Sequence, residues 1–200
     1  THAGTYYLVD GEGWINASDL STTDNRIEAV QKVLNEKYNN QERISVYVKQ
    51  LDTDRVAAIN DEKSMYAASV AKLGVLYYAQ ERLSQKKLSL SDEYQYTAAV
   101  NGFPGAYDPD GSGKISKMPD DKNYSLENLL KAVAQNSDNV ATNILGYYVT
   151  NQYDKAFQKS VDKAAATSWN MDKKELTARA AGTLMEAVYR QNGDIINYLS

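Results

Sequence analysis

The spacing of apolar residues predicts a helix followed by two strands in the first third of the chain. Residues 27–38 carry apolar side chains at helical spacing, after a candidate N-cap at Thr23-Asp24. Apolar and polar residues then alternate over 44–49, and a second apolar run covers 56–59. A short polar turn separates the two runs, so the pattern predicts a β-hairpin that is apolar on at least one face.

The second half of the chain is predicted to be mainly helical. Residues 65–83 form the longest apolar segment, and because it is apolar nearly all round, we expect a buried helix there. Further helices are predicted at about 125–135, 138–150, 153–166 and 174–190. The last of these begins with Asp172 as a candidate N-cap and Glu175 at the third helical position.

Residues 1–22 differ in pattern from the rest of the chain. Residues 6–9 form a short strand pattern, a Gly-rich turn follows, and residues 14–20 suggest a second strand or a tight turn. Two strands cannot form a core alone, so we expect this segment to be part of a larger unit or to pack on the main body. Its Gly-x-Gly-Trp-Ile-Asn sequence resembles the end of a bacterial SH3-like cell-wall-binding module.

Composition excludes several classes of catalytic site. The only histidine is His2, and the 200 residues include no cysteine. A Ser-His-Asp triad, a Cys-His pair and a zinc site with His or Cys ligands are therefore not expected, and disulfides and iron–sulfur clusters are excluded. An enzyme of this composition must transfer protons with Lys, Asp, Glu or Tyr.

Charge and hydropathy narrow the range of partners. The net charge is −4 and the sequence pI is about 5.1, so the chain lacks the basic surface typical of nucleic-acid binding. No apolar run approaches the roughly 20 residues of a membrane-spanning helix, and the first residues show no signal-peptide pattern. We expect neither a nucleic-acid partner nor a transmembrane segment in this chain.

Ser69 and Lys72 form the main candidate for catalytic chemistry. Three residues apart on a helix, their side chains share one face, and the positive end of the helix dipole would stabilise a serine alkoxide near its start. Burial penalises the charged form of a lysine and lowers its pKa, so Lys72 could serve as a base for Ser69. The alternative is a small residue in a packed helix with a snorkelling lysine.

The Ser-x-x-Lys spacing alone is weakly specific, because it occurs three times in the chain. Ser84…Lys87 and Ser160…Lys163 lie among Gln and charged residues and are interpreted as solvated helix faces. Only Ser69 lies in a run that is predicted to be buried.

A second motif, Ser137-Asp138-Asn139, joins two predicted apolar helices. By itself it could be a helix–helix turn with an N-cap. Ser-x-x-Lys followed by Ser-Asp-Asn is the signature of class A β-lactamases and penicillin-binding proteins, and the preceding hairpin and helix fit the same order. The chain therefore resembles the serine β-lactamase / penicillin-binding superfamily, most closely class A. The resemblance implies an α+β fold (an α/β sandwich): an antiparallel sheet with flanking helices plus an all-helical lobe.

The resemblance implies three catalytic residues. Ser69 would be the acylated nucleophile, and its backbone N–H would supply half of an oxyanion hole. Lys72 would accept the proton of Ser69, and Ser137 would relay a proton to the lactam or amide nitrogen.

Three further residues take their expected roles from the same resemblance. Asn139 would hydrogen-bond the side-chain amide of the substrate. Tyr107, in a loop where the family often places an aromatic residue at the mouth of the cleft, is a second candidate for substrate binding. Asp138 would be structural and hold the junction. No cofactor and no metal are expected.

The chain departs from the family pattern in two ways. The Lys-Thr/Ser-Gly motif of a late strand is absent, and Lys72-Leu73-Gly74 cannot replace it. We therefore expect a division into residues 1–22, a stub of an SH3-like module or a linker, and residues 23–200, a β-lactamase-like domain truncated before that strand. The segment 167–172 also lacks the deacylating Glu of class A enzymes, and a persistent acyl-enzyme is expected.

Residues 108–115 copy the opening of an EF-hand calcium loop. The twelfth position, where a bidentate Glu belongs, is Pro119. We therefore interpret the segment as a Gly-rich hairpin at the edge of the cleft.

Three functional hypotheses follow. The first is a class A-like serine β-lactamase that acts on β-lactams. The second is a penicillin-binding or D-Ala-D-Ala peptidase that acts on peptidoglycan stem peptides with slow or no deacylation, and the third is a non-catalytic cell-wall-binding protein. The stub, the lack of cysteine and the substrate class favour an extracellular, wall-associated setting in a Gram-positive cell.

Overall fold

The computed structural model of the chain describes residues 2–3, 6–9, 13–17 and 24–200. Parts of three sequence predictions lie outside the described residues, namely the turn at 10–12, residues 18–20 of the second strand, and Thr23 of the N-cap.

The first three strands form a small antiparallel sheet. β1 (His2–Ala3) pairs with β2 (Tyr6–Val9), which pairs with β3 (Gly13–Asn16). The strand predicted at residues 6–9 is confirmed. The side chain of Trp14 is exposed, so this sheet leaves its largest side chain in contact with solvent.

A helix and a β-hairpin follow, as predicted. α1 (Arg26–Tyr38) starts after Asn25, two residues later than the predicted cap, and β4 (Val46–Lys49) pairs with β5 (Val56–Ile59) in antiparallel register. Val46 packs on the α1 side of the hairpin, with the small apolar cluster of that helix. Tyr47, the next residue, meets Gly182 on the other side, because successive strand residues point to opposite faces.

The remaining elements are helices and two short strand pairs. They are β6 (Met65–Tyr66), a 3-10 helix (Ala68–Lys72), α2 (Leu73–Ser84), β7 (Glu93–Gln95), a second 3-10 helix (Ala98–Asn101), β8 (Asn123–Ser125), α3 (Leu126–Asn136), α4 (Asn139–Tyr148), α5 (Lys155–Ala165), β9 (Glu175–Leu176), α6 (Ala178–Gln191) and α7 (Asp194–Leu199). β6 pairs with β9, and β7 pairs with β8.

The main core surrounds α2, which packs against α5, α6 and α7. Trp169, Phe157 and Leu126 are among its largest fully buried side chains. The hairpin carries α1 and α6 on opposite faces, and the helical lobe lies beside it. This is the α+β architecture that the sequence predicts. No helix in the described ranges is both long and apolar enough to cross a membrane.

The prediction of one buried helix over residues 65–83 is wrong in its first third. Met65 and Tyr66 form a strand, and the α-helix begins only at Leu73. Ala68, the first residue of the 3-10 helix, adopts a left-handed backbone with φ of 46°, a conformation that costs an alanine roughly 1–2 kcal/mol and through which a regular α-helix cannot continue. Because β9 supplies a strand partner, this segment enters the lobe in extended form, and Ser69 lies in an exposed stretch rather than a buried one.

The predicted Asp172 cap is also wrong. β9 occupies the predicted first turn, and α6 begins four residues late with Thr177 as its N-cap, whose hydroxyl accepts from the Ala180 N–H at 3.0 Å. Glu175 therefore pairs in a strand instead of closing a capping box. The strand pair was missed because each strand is only two or three residues long and carries no periodicity.

Candidate active site

Ser69 lies at the start of the 3-10 helix that leads into α2. Its side chain is exposed, while the backbone before it is fixed at two points. The Ala67 N–H donates to the Lys174 carbonyl at 2.7 Å, and the Tyr107 hydroxyl donates to the Ala68 carbonyl at 3.2 Å. The side chain of Ser69 is therefore accessible to a substrate, while hydrogen bonds at Ala67 and Ala68 hold its backbone in place.

Lys72 lies one turn later and is buried, with 2% of its surface exposed. Its Nζ donates to the Ser137 carbonyl at 2.6 Å, the Ser137 hydroxyl at 3.1 Å and Asn139 Oδ1 at 2.6 Å. Burial lowers the pKa of Lys72 to about 8; Asp138 acts in the opposite direction, and Lys174 lowers the pKa further. A substantial fraction of this lysine is therefore neutral near pH 8 and can accept a proton.

The Ser-Asp-Asn motif forms the junction between α3 and α4. Ser137 ends α3 in a left-handed conformation with φ of 51°, which turns both its hydroxyl and its carbonyl toward Lys72. Asp138 is the N-cap of α4 and is fully buried. Asn139, the first residue of α4, accepts from Lys72 through Oδ1 and donates through Nδ2 to the Asp108 carbonyl at 2.8 Å.

The loop 108–115 packs against the Ser-Asp-Asn junction and is hydrogen-bonded to it. The Ser112 carbonyl accepts from the backbone N–H of Asn139 at 2.8 Å, and Asp138 Oδ2 accepts from the Lys114 and Ile115 N–H groups at 2.6 and 2.9 Å. The segment forms successive turns and not the predicted hairpin of paired strands. Its resemblance to a calcium loop thus reflects turn chemistry that serves the Ser-Asp-Asn junction.

Two glycines of this loop allow its close approach to the junction. A Cβ on Gly111 would overlap the side-chain amide of Asn139, and a Cβ on Gly113 would overlap the carboxylate of Asp138. Gly113 also has φ of 137°, in a region that L side chains rarely adopt.

Tyr107 is buried, with 7% of its surface exposed, and it lies beneath the Ser69 backbone. Burial raises the pKa of its phenol well above the ordinary value, so the hydroxyl remains a donor. Asn143 holds its backbone through both amide atoms: Oδ1 accepts from the Tyr107 N–H at 2.7 Å and Nδ2 donates to the Tyr107 carbonyl at 2.8 Å.

The segment 167–172 is anchored by its core residues. Trp169 and Met171 are buried, and the Trp169 N–H donates to Asp162 Oδ1 at 2.7 Å. Its carboxylate, Asp172, lies beside the Gly105 backbone.

The structure thus brings together Lys72, Ser137, Asn139 and Tyr107, with Asp138 behind them and Ser69 at the surface above. No hydrogen bond joins Ser69 to Lys72 in the part of the chain that the structure describes. Across the same residues, no group of three or more His, Cys, Asp or Glu side chains is arranged to hold a metal ion.

Sequence reasoning missed Asn143 and Lys174. Asn143 carries a recognisable signal, since a second polar residue four positions after Asn139 falls on the same face of α4. Lys174 carries no such signal, because it lies in the charged segment 172–175, which was interpreted as the capped start of a helix.

Comparison with models of known protein families shows which family this chain belongs to. A family model described as the beta-lactamase enzyme family matches residues 25–200. The chain belongs to the beta-lactamase enzyme family. No curated protein matches the sequence.

Several solved structures have the same fold as this chain at low sequence identity. The structure of PBP-A is 16% identical, with a TM-score of 0.64; the alignment covers 84% of this chain and 63% of PBP-A. A beta-lactamase from Sphaerobacter thermophilus DSM 20745 is 16% identical, with a TM-score of 0.62 and coverage of 88% and 67%. The D-alanyl-D-alanine carboxypeptidase DacD from Francisella tularensis is 16% identical, with a TM-score of 0.62 and coverage of 78% and 38%.

These structural matches establish the fold, and the family model over residues 25–200 establishes the family. The chain spans less than two thirds of the length of PBP-A. The resemblance to the serine β-lactamase / penicillin-binding superfamily is therefore confirmed, whereas nothing in the comparisons tests the SH3-like resemblance of residues 1–22.

Proposed function

We propose that this domain forms a covalent acyl-enzyme through Ser69 Oγ, with β-lactams and acyl-D-Ala-D-Ala peptides as substrates. One observation carries the proposal: the exposed Ser69 precedes by three residues a buried Lys72 that hydrogen-bonds Ser137 and Asn139. A buried lysine with a lowered pKa can serve as the base that activates a serine without the help of a histidine.

The proposed acylation uses these residues in the following order. Neutral Lys72 takes the proton of Ser69, and Ser69 Oγ forms a bond to the substrate carbonyl carbon. The C–N bond of the tetrahedral intermediate then breaks, and the departing nitrogen takes a proton from the Ser137 hydroxyl. Lys72 returns a proton to Ser137 over the 3.1 Å hydrogen bond that joins them, so both groups regain their starting protonation.

The substrate class is supported by related proteins. One related structure is an acyl-enzyme complex of a PBP-A mutant with penicillin G, and another related protein is a D-alanyl-D-alanine carboxypeptidase. In this proposal Asn139 binds the substrate amide. Its Nδ2 donates one hydrogen to Asp108 and keeps a second one for a ligand.

Deacylation is proposed to be slow. The segment 167–172 contains no Glu to activate a water molecule. The buried charged residue that follows this segment is Lys174, whose side chain is a cation and not a carboxylate. This favours penicillin-binding behaviour over the efficient class A β-lactamase that the motif order alone predicts. The cell surface, where such substrates occur, is the proposed location.

The test uses the full chain with a fluorescent penicillin, a chromogenic cephalosporin and intact mass spectrometry. We expect one stable adduct per chain, little turnover, and loss of the adduct in Ser69→Ala. Ser84→Ala is a matched control, since it removes the serine of an exposed Ser-x-x-Lys pair and should leave the adduct intact. Rapid turnover would instead identify a β-lactamase. Failure to form any adduct would refute acylation and leave a non-catalytic wall-binding protein.

A further inference from the structure

Lys174 is a second buried lysine next to the site, and no step above uses it. It is 9% exposed, and its Nζ donates to the Gly105 carbonyl at 3.0 Å. Its own carbonyl holds the Ala67 N–H, two residues before Ser69. Both its backbone and its side chain are therefore fixed against the segment that carries the nucleophile.

Lys174 and Lys72 face the same tyrosine ring. Lys72 Nζ lies 4.6 Å from the centroid of Tyr107 and Lys174 Nζ lies 4.4 Å from it, so the two nitrogens are at most 9.0 Å apart. The hydrogen bonds of both ammonium groups go to carbonyl, hydroxyl and amide oxygens. Two cations that share one buried ring disfavour each other, and one of them should lose its proton readily.

We propose that Lys174 is a positioning residue that acts through Lys72, keeping that lysine unprotonated and ready to accept the proton of Ser69. This inference rests on the proposed acylation. Lys174 is not proposed to touch the substrate.

The surrounding charges decide which lysine stays protonated. Lys72 is faced by Asp138 from the α3–α4 junction and by Tyr107, whereas Lys174 is faced by Asp172 and by the same ring. Burial lowers the pKa of both lysines, that of Lys72 to about 8. Lys174 is the more exposed of the two, at 9% against 2%, and the Asp172 carboxylate favours its charged form, so we take Lys174 as the lysine that keeps its proton.

The Tyr107 ring does not compensate this charge by ionising. Burial raises the pKa of Tyr107, and the neighbouring Tyr153 and Tyr66 act in the same direction. The ring therefore stays neutral and presents its π face to both cations, a contact that favours a cation at each position. At the largest separation that these distances allow, 9.0 Å, and an effective dielectric constant of about 20, the charge of Lys174 should weaken proton binding at Lys72 roughly twentyfold.

The first experiment measures Lys72 directly. The Lys72 Cε resonance of 13C-lysine-labelled full chain is titrated by NMR in the parent, in Lys174→Met and in Lys174→Arg, with Lys72→Arg to assign the signal. We expect Lys174→Met to bind a proton at Lys72 roughly twentyfold more tightly, while Lys174→Arg, which keeps the charge, matches the parent. Lys174→Gln replaces the methionine variant if the latter does not fold. An unchanged Lys72 titration in a folded neutral variant would overturn the inference.

The second experiment measures acylation by a fluorescent penicillin against pH. In Lys174→Met the acid limb should move to higher pH while the plateau at high pH stays at the parent value. A purely structural role would lower the plateau and leave the limb in place, which contradicts the inference. If no adduct forms at all, the proposed function fails, and the NMR titration still decides the role of Lys174.

Discussion

The replacement Asp138→Asn tests whether the buried carboxylate holds the site together. Asp138 is fully buried and accepts three backbone hydrogen bonds: Oδ1 from Ala141 at 2.9 Å, and Oδ2 from Lys114 and Ile115 at 2.6 and 2.9 Å. Asparagine has the same shape but only one acceptor oxygen, so its NH₂ group must face at least one of these N–H donors.

The magnitude follows from those bonds. A buried N–H left without an acceptor costs about 1–3 kcal/mol, and the bonds that remain lose the extra strength of a charged acceptor, about 1 kcal/mol each. Together these effects should lower the free energy of unfolding by about 3–5 kcal/mol. For a chain of this length, 1 kcal/mol corresponds to roughly 2–4 °C, so we expect Tm to fall by about 10 °C.

Thermal and denaturant unfolding of the full chain would measure this loss. Asp110→Asn is the matched control, because Asp110 lies exposed in the same loop and its replacement should change stability by less than about 0.5 kcal/mol. A second readout is the pH profile of acylation: the Asp138 carboxylate raises the pKa of Lys72, so its neutralisation should move the acid limb to lower pH. A fall in Tm of less than about 3 °C would refute the reasoning about the junction.

Three further predictions follow from the same contacts. Acylation by the parent should rise with pH up to about 8, because the pKa of Lys72 is lowered to about 8 and only the neutral amine accepts a proton; a flat profile from pH 6 to 9 would exclude Lys72 as the base. Gly113→Ala should destabilise the fold by about 2 kcal/mol or more in urea unfolding, whereas Gly102→Ala, whose Cβ would meet only a carbonyl at 3.7 Å, should change little. Tyr107→Phe should cost about 1 kcal/mol in the same assay, since the Ala68 carbonyl loses its donor; an unchanged midpoint would show that solvent replaces it.

The periodic spacing of apolar residues was sufficient to predict the β4–β5 hairpin and the four longer helices, α3 to α6, in the second half of the chain. α3, α4 and α5 begin and end within about three residues of the predicted bounds, because their apolar faces repeat at helical spacing. The errors fall where tertiary pairing decides the backbone. β6 and β9 pair over two residues each, a length at which no pattern of apolar and polar residues can form.

The candidate site was predictable in its motif residues but not in its surroundings. Ser69, Lys72 and the Ser-Asp-Asn junction were predicted from their two motifs and the family resemblance that the motifs carry, and the structure places Lys72 within hydrogen-bond distance of the junction. Lys174 comes from a turn about 100 residues further along the chain than Lys72, and its burial depends on how that turn packs on Gly105. A single sequence carries no signal for such a contact.

The broken course of residues 65–84 has a chemical reason. The proposed nucleophile must meet a substrate, while its base must be desolvated to lose a proton near neutral pH. In one uniformly buried α-helix, residues three apart share a face and would both be shielded from substrate. Entry from β6 through Ala68 and a 3-10 turn gives the two side chains different depths: Ser69 is exposed, and Lys72 is buried together with Ala71. Apolar spacing reports the face of a helix but not the depth at which it begins, so this separation could not be predicted from the sequence pattern.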